Sequence, residues 1–154
     1  MSKNDDAILF NEQLCFPLYA ASNLITRLYR PLLSELGLTY PQYLVMMLLW
    51  EAAPRSVSDL GNALHLDSGT LTPLLKRLET AGLVVRRRDH QDERRVFILL
   101  TEQGSALRAP AAKIPVALQD ATQCSNEELA ELRNRVNALI KQIAPGLGIA
   151  KLKE

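Results

Sequence analysis

Apolar residues recur at helical spacing from Ile8 to Leu36, with Leu14, Leu18, Leu24 or Ile25, Leu28 and Leu32 along one side, and the pattern predicts one or two amphipathic helices. Pro17 and Pro31 interrupt it. Proline suits the first turn of a helix and not its interior, so either the main helix begins near Phe16 or an earlier helix kinks there. In both cases Cys15 stands at a helix start or a kink. Thr39, Pro41 and Gln42 have the form of a capping box and open an apolar helix from about Tyr40 to Glu51. Ser56 with Asp59 repeats that spacing before a short helix through Leu60 and Leu64 that ends near His65. Asp67 and Ser68 cap the next helix, which runs through Leu71, Leu74, Leu75 and Leu78 and stops at Gly82.

Beyond Gly82 the period changes to that of strands. Leu83 to Arg88 and Arg94 to Leu100 flank the polar loop Asp89 to Glu93, which predicts a β-hairpin. Thr101 caps a further helix that Pro110 and Pro115 bend or break, and Ser125 with Glu128 caps a last one from Glu127 to about Ile143. The expected fold class is mainly α with a small β-hairpin wing (α+β). No repeat or flexible linker divides the chain, so residues 1–154 are expected to pack as one domain. The apolar faces of the terminal segments, 8–36 and 102–145, suit either packing within the chain or a dimer surface.

At 154 residues, 47% of them hydrophobic and 23% charged, the chain can bury its own core. The longest apolar run, Tyr43 to Trp50, falls far short of the ~20 residues of a membrane helix, and residues 1–14 are too polar for a secretory signal. A soluble cytoplasmic protein without membrane contact is expected. Cys15 and Cys124 lie far apart, so a reduced pair is expected at rest rather than a structural disulfide. Candidate ligands are too few for zinc, His65 and His90 read as surface residues, and no cofactor is implied.

A net charge of +1 is no argument for nucleic acid, but the charge is clustered: Arg86, Arg87 and Arg88 run together, with Arg94 and Arg95 shortly after. Short helix, tight turn, second helix and basic hairpin is the order of a winged helix-turn-helix, here residues 55–104, whose second helix enters a major groove. Ser68, Gly69, Thr70, Thr72 and Pro73 open that helix with small side chains able to reach phosphates or base edges; singly they read equally well as a solvated helix start. Lys76 and Arg77 suit phosphates. Arg94 near the hairpin tip is placed for a minor groove, with Asp92 able to pair with it and set its direction. Alternation along a strand prevents all the arginines from facing DNA, and Arg86 or Arg88 is favoured over Arg87.

From Leu60 to Gly104, including LDSGTLTPLLKRLETAGLV and DERRVFILLTEQG, the chain resembles the winged helix-turn-helix of MarR-type repressors, with Asp92 and Arg94 in the place of the wing-tip pair. LCFPLYAAS around Cys15, LYRPLL around Tyr29 and LTYPQYLVMMLLWE after it resemble the OhrR branch, whose members respond to organic hydroperoxides. The resemblance implies an obligate homodimer joined by its terminal helices and bound to double-stranded, pseudo-palindromic operator DNA.

A peroxide-reactive cysteine reacts as the thiolate, which hydrogen-bond donors stabilise. Cys15 has no adjacent lysine or arginine; the sequence offers instead the hydroxyls of Tyr19, Tyr29 and Tyr40. Without the resemblance, Cys15 reads as a small buried hydrophobe and the tyrosines as core residues. The resemblance implies that Cys15 is the redox sensor, that Tyr29 and Tyr40 contact it across the dimer interface, and that Phe16, Met46 and Met47 line a pocket for an organic or fatty-acid hydroperoxide, the inducer. Pro17 departs from the pattern expected there. Cys124, which by itself also reads as an incidental loop thiol, resembles the resolving cysteine of the two-cysteine type, which forms an intersubunit disulfide and turns the reading heads out of register. Two other readings use the same residues: a MarR-type repressor released by a phenolic or antibiotic-like ligand, and a thiol peroxidase. Against the peroxidase, neither histidine nor arginine stands near Cys15 and a catalyst has no need of the reading head.

Overall fold

The computed structural model describes residues 9–148. A single 3-10 turn, Phe10–Glu12, leads into helix α1, Cys15–Ser34. Of the two starts the prolines allowed, the structure takes the one at Cys15: Pro17 sits in the first turn, where its missing N–H has no intrahelical role. Pro31 lies inside α1 without ending it. Helix α2, Tyr40–Glu51, opens on a complete capping box in which Thr39 and Gln42 exchange side-chain bonds with each other's backbone N–H.

The central module follows: strand β1 (Arg55–Ser56), α3 (Val57–Leu64), α4 (Ser68–Thr80), β2 (Val84–Arg88) and β3 (Val96–Leu100). Ser56 and Asp59 box the start of α3, and His65 closes it in a left-handed conformation. Gly82, at φ +75°, ends the α4 segment, with its own N–H on the Glu79 carbonyl and the Leu83 N–H on the Leu78 carbonyl. That pair of bonds is the Schellman arrangement, which requires a left-handed residue and so favours glycine.

The hairpin is not alone. The short β1 pairs antiparallel with β3, Arg55 opposite Ile98 and Ser56 opposite Phe97, giving a three-stranded sheet of order β1-β3-β2. Two residues after a proline carry no alternation, so pattern could not reveal this strand. β2 pairs with β3 from Val84–Leu100 to Arg88–Val96, and Arg94 and Arg95 fall in the connecting turn rather than in the strand. The core joins this module to α1 and α2: Leu33, Val45, Met46, Leu49, Leu60, Leu71, Leu75, Leu78, Val84 and Ile98 are all essentially inaccessible.

Pro110 and Pro115 break the following segment into α5 (Glu102–Ala106), α6 (Arg108–Ala111) and α7 (Ile114–Thr122), before α8 (Asn126–Ile143). The terminal helices are poorly covered. α8 buries none of its residues and α1 buries only Leu33, while Leu14, Leu24 and Leu132 are each about 60% exposed. No helix among the described residues is long and apolar enough to cross a membrane.

Candidate nucleic-acid interface and sensor region

One face of α4 is core and the other is open. Leu71, Leu74, Leu75 and Leu78 point inward, whereas Ser68, Gly69, Thr70, Thr72, Pro73, Lys76 and Arg77 are all exposed. Asp67 fixes the start of this helix, its Oδ1 accepting the Thr70 N–H at 2.8 Å. A Cβ on Gly69 would come within 3.1 Å of that same oxygen, so glycine keeps the cap uncrowded. Pro73 has no N–H, which deprives the Gly69 carbonyl of its usual helical donor and leaves an acceptor on the open face.

The wing tip is an ordered turn. Asp89 Oδ1 accepts the Gln91 N–H at 3.0 Å, and Asp92 Oδ1 accepts both the Arg94 N–H at 3.1 Å and its Nε–H at 3.3 Å. The Arg94 side chain is 93% exposed, so Asp92 orients it without covering it. Arg95 lies over the Phe97 ring, 5.2 Å from its centroid. Val84, Arg86 and Arg88 alternate onto one face of β2 and Arg87 onto the other. Arg86 and Arg88 border one recess with Glu79, and Arg86 is bonded to that carboxylate at 2.8 Å. Neither Glu79 nor the stacking of Arg95 was visible to sequence reasoning, because both depend on how α4 meets the sheet.

Cys15 is the first residue of α1 and is exposed; Cys124, in the turn between α7 and α8, is partly covered and its thiol lies 3.5 Å from the Thr122 carbonyl. Both are free thiols. Phe10 and Phe16, the latter next to Cys15 in the chain, pack at a tilt of 47° with ring centroids 4.2 Å apart. Tyr19 is 68% exposed one turn on. Tyr29 and Tyr40 meet at 4.8 Å between centroids and Tyr43 joins Tyr29 at 5.8 Å, a third ring that the spacing did not single out. Burial, then the neighbouring Tyr40 and Tyr43, pushes the Tyr29 phenol up to about 12; burial raises Tyr40, and burial followed by Tyr40 raises Tyr43. All three are neutral hydroxyl donors across the physiological range.

Within one protomer the thiol and the tyrosine pair do not meet. Fourteen positions of continuous helix separate Cys15 from Tyr29, about 21 Å at about 1.5 Å per residue. Met46 is enclosed in the core and Met47 is exposed, so these two neighbours face different surroundings. Among the described residues, no group of His, Cys, Asp and Glu could hold a metal ion.

Residues 27–109 match the family described as transcriptional regulator SarA/Rot. The organic hydroperoxide resistance transcriptional regulator of Bacillus subtilis (strain 168) is 44% identical over 143 residues, which is 93% of this chain and 97% of the relative. This chain belongs to the MarR/OhrR family of transcriptional regulators. Its winged-helix fold superposes on reduced AbfR bound to DNA with a TM-score of 0.75, at 34% identity, over 92% of this chain and 99% of that one. AbfR is a protein of Staphylococcus epidermidis. Against the disulfide-formed state of AbfR the TM-score is 0.58, at 35% identity over 89% of this chain and 96% of that one. Overoxidised AbfR bound to DNA matches at a TM-score of 0.73, at 35% identity over 92% of this chain and 99% of that one, so the chain has the shape of the two DNA-bound forms more than that of the disulfide form.

Proposed function

We propose that this MarR/OhrR regulator is a homodimeric repressor that holds a pseudo-palindromic operator when reduced and releases it when an organic hydroperoxide oxidises Cys15. The observation that carries the reading is the position of Cys15: exposed, first in α1, beside an apolar face that stays largely exposed among the described residues. A second copy packed on the exposed leucines of α1 and on α8 covers that face and brings the Tyr29 and Tyr40 hydroxyls of one subunit to the thiol of the other. Such packing buries side chains worth about 1.5–3 kcal/mol each when fully removed from water. The paired rings of Phe10 and Phe16 favour an organic over an inorganic peroxide.

The chemistry proceeds in two balanced steps. The Cys15 thiolate attacks the peroxide, the O–O bond breaks, Cys15 becomes a sulfenic acid, and the peroxide leaves as an alcohol once its oxygen takes a proton. The Cys124 thiol of the partner subunit then displaces hydroxide from that sulfur, forming the disulfide and releasing water. Drawing the two residues together shifts the terminal helices and turns the α4 helices out of register with successive major grooves. That the disulfide form of AbfR departs from the shape shared by this chain and the two DNA-bound forms of AbfR supports such a rearrangement by analogy with that relative. On the DNA side, the open face of α4 from Ser68 to Arg77 reads the major groove while Arg94 enters the minor groove and Arg88 meets the backbone.

Non-reducing gels and intact-mass spectra after one equivalent of cumene hydroperoxide test the switch. A covalent dimer is expected in wild type and in neither Cys15→Ser nor Cys124→Ser, with a one-oxygen adduct on Cys15 in the latter. A covalent dimer in Cys15→Ser refutes it.

A further inference from the structure

The last turn of α4 is tied to the wing at a single carboxylate. Glu79 Oε2 accepts from Arg86 Nε at 2.8 Å and from its terminal nitrogen at 2.8 Å, while Glu79 Oε1 accepts the Arg86 backbone N–H at 3.3 Å. The backbone bond follows from register. The Thr101 N–H donates to the Leu83 carbonyl and the Asp89 N–H to the Arg95 carbonyl, so the odd positions of β2 face β3 and the N–H of Arg86 points away from it. Because β2 is an edge of the sheet, that donor would otherwise be open to solvent.

The tie spans the place where DNA would have to be straddled. A cleft of about 260 Å³ where α4, the wing and the start of α3 meet is lined by Ser58, Thr72, Arg86, Arg94 and Arg95. With α4 in a major groove and Arg94 in the adjacent minor groove, the sugar-phosphate strand between those grooves runs through this cleft. Arg86 lines this cleft while its guanidinium is bonded to Glu79 of α4, so the contact joins the two elements at the cleft itself.

We propose that Arg86 and Glu79 act together as a positioning pair that fixes the wing against the recognition helix, and that Arg86 reaches DNA only through that geometry. The sequence pattern favoured Arg86 as a DNA contact; its fork is instead occupied by a carboxylate of its own chain. This inference rests on the DNA-binding reading above. The two assignments for Arg86 make opposite statements about Glu79. If Arg86 is a phosphate contact restrained by Glu79, removing the carboxylate frees a cation and strengthens binding. If the pair is a strut, removing either partner weakens it.

The test is a salt-dependent anisotropy titration of a labelled duplex from the DNA upstream of this protein's coding sequence, with a scrambled duplex as control. Glu79→Gln, Arg86→Gln and the double variant are each expected to bind about three- to tenfold more weakly than wild type, the double no worse than either single, with an unchanged slope of log affinity against log salt. Equal or tighter binding by Glu79→Gln overturns the proposal, as does a slope for Arg86→Gln smaller by about 0.9, the mark of one lost phosphate contact. Hydrogen exchange without DNA provides an independent arm: amides of residues 84–100 are expected to exchange faster in both single variants while those of α2 are unchanged, and unaltered wing exchange overturns the strut. If wild type does not prefer the upstream duplex, the operator reading fails, and the exchange experiment still decides whether the pair holds the wing.

Discussion

Replacing Gly104 by alanine is expected to loosen the joint between wing and body. A Cβ at this position would overlap the Leu83 carbonyl oxygen and sit 2.9 Å from the Leu83 carbonyl carbon and 3.3 Å from its Cα. All three are backbone atoms, so no side chain can swing aside. The same site is bound on every other quarter: the Gly104 carbonyl accepts the Trp50 indole N–H at 2.9 Å, its N–H donates to Thr101 Oγ1 at 2.9 Å, and that hydroxyl donates to the Gly82 carbonyl at 2.6 Å. To admit the methyl, α5 must move away from Leu83, and the Trp50 bond lengthens with it. Overpacking costs about 1–3 kcal/mol. A compromised hydrogen bond adds about 1 kcal/mol, and for a chain of this size each kcal/mol lowers Tm by about 2–4 °C. A fall of roughly 5–15 °C is therefore expected in melts followed by circular dichroism at matched protein concentration. A Tm within a degree of wild type would show that Leu83 and Gly104 can part without cost and that the joint is not tight.

Arg94→Ala leaves Tm unchanged, since the side chain is almost fully exposed, and lowers DNA affinity with a salt slope smaller by about 0.9, read by the same anisotropy titrations. Asp67→Ala removes the cap of α4 and costs about 1 kcal/mol in denaturant melts, while Asp67→Asn retains most of it because the amide oxygen can still accept the Thr70 N–H. The Tyr29 phenol is raised in the folded chain, so the stability it contributes is fully present below its unfolded value of about 10 and is lost as pH rises from there toward 12. Thermal melts across that window should therefore decline more steeply in wild type than in Tyr29→Phe; parallel declines would place the titration elsewhere.

Much of this protein is legible in its sequence because the signals are local. Capping boxes at Thr39, Ser56 and Ser125 each formed with both reciprocal bonds, and Gly82 took the left-handed conformation its position after Leu78 suggested. Long-range contacts left no such trace. Glu79 meets Arg86 only because α4 lies against the free edge of β2, and β1 exists only because Ser56 reaches Phe97. The region around Cys15 divides in the same way. Pro17 marked a break in the helical pattern at Cys15 without deciding between a start and a kink, and the continuous helix that holds Cys15 and Tyr29 about 21 Å apart was not legible, because Pro31 does not end it.

The most direct measurement is a gel shift of the upstream duplex with reduced protein and with protein treated with cumene hydroperoxide, in wild type and Cys15→Ser. Wild type is expected to bind when reduced and to release on oxidation, with binding restored by dithiothreitol, while Cys15→Ser stays bound throughout. Wild type that remains bound after oxidation, or Cys15→Ser that releases as readily, contradicts the thiol switch.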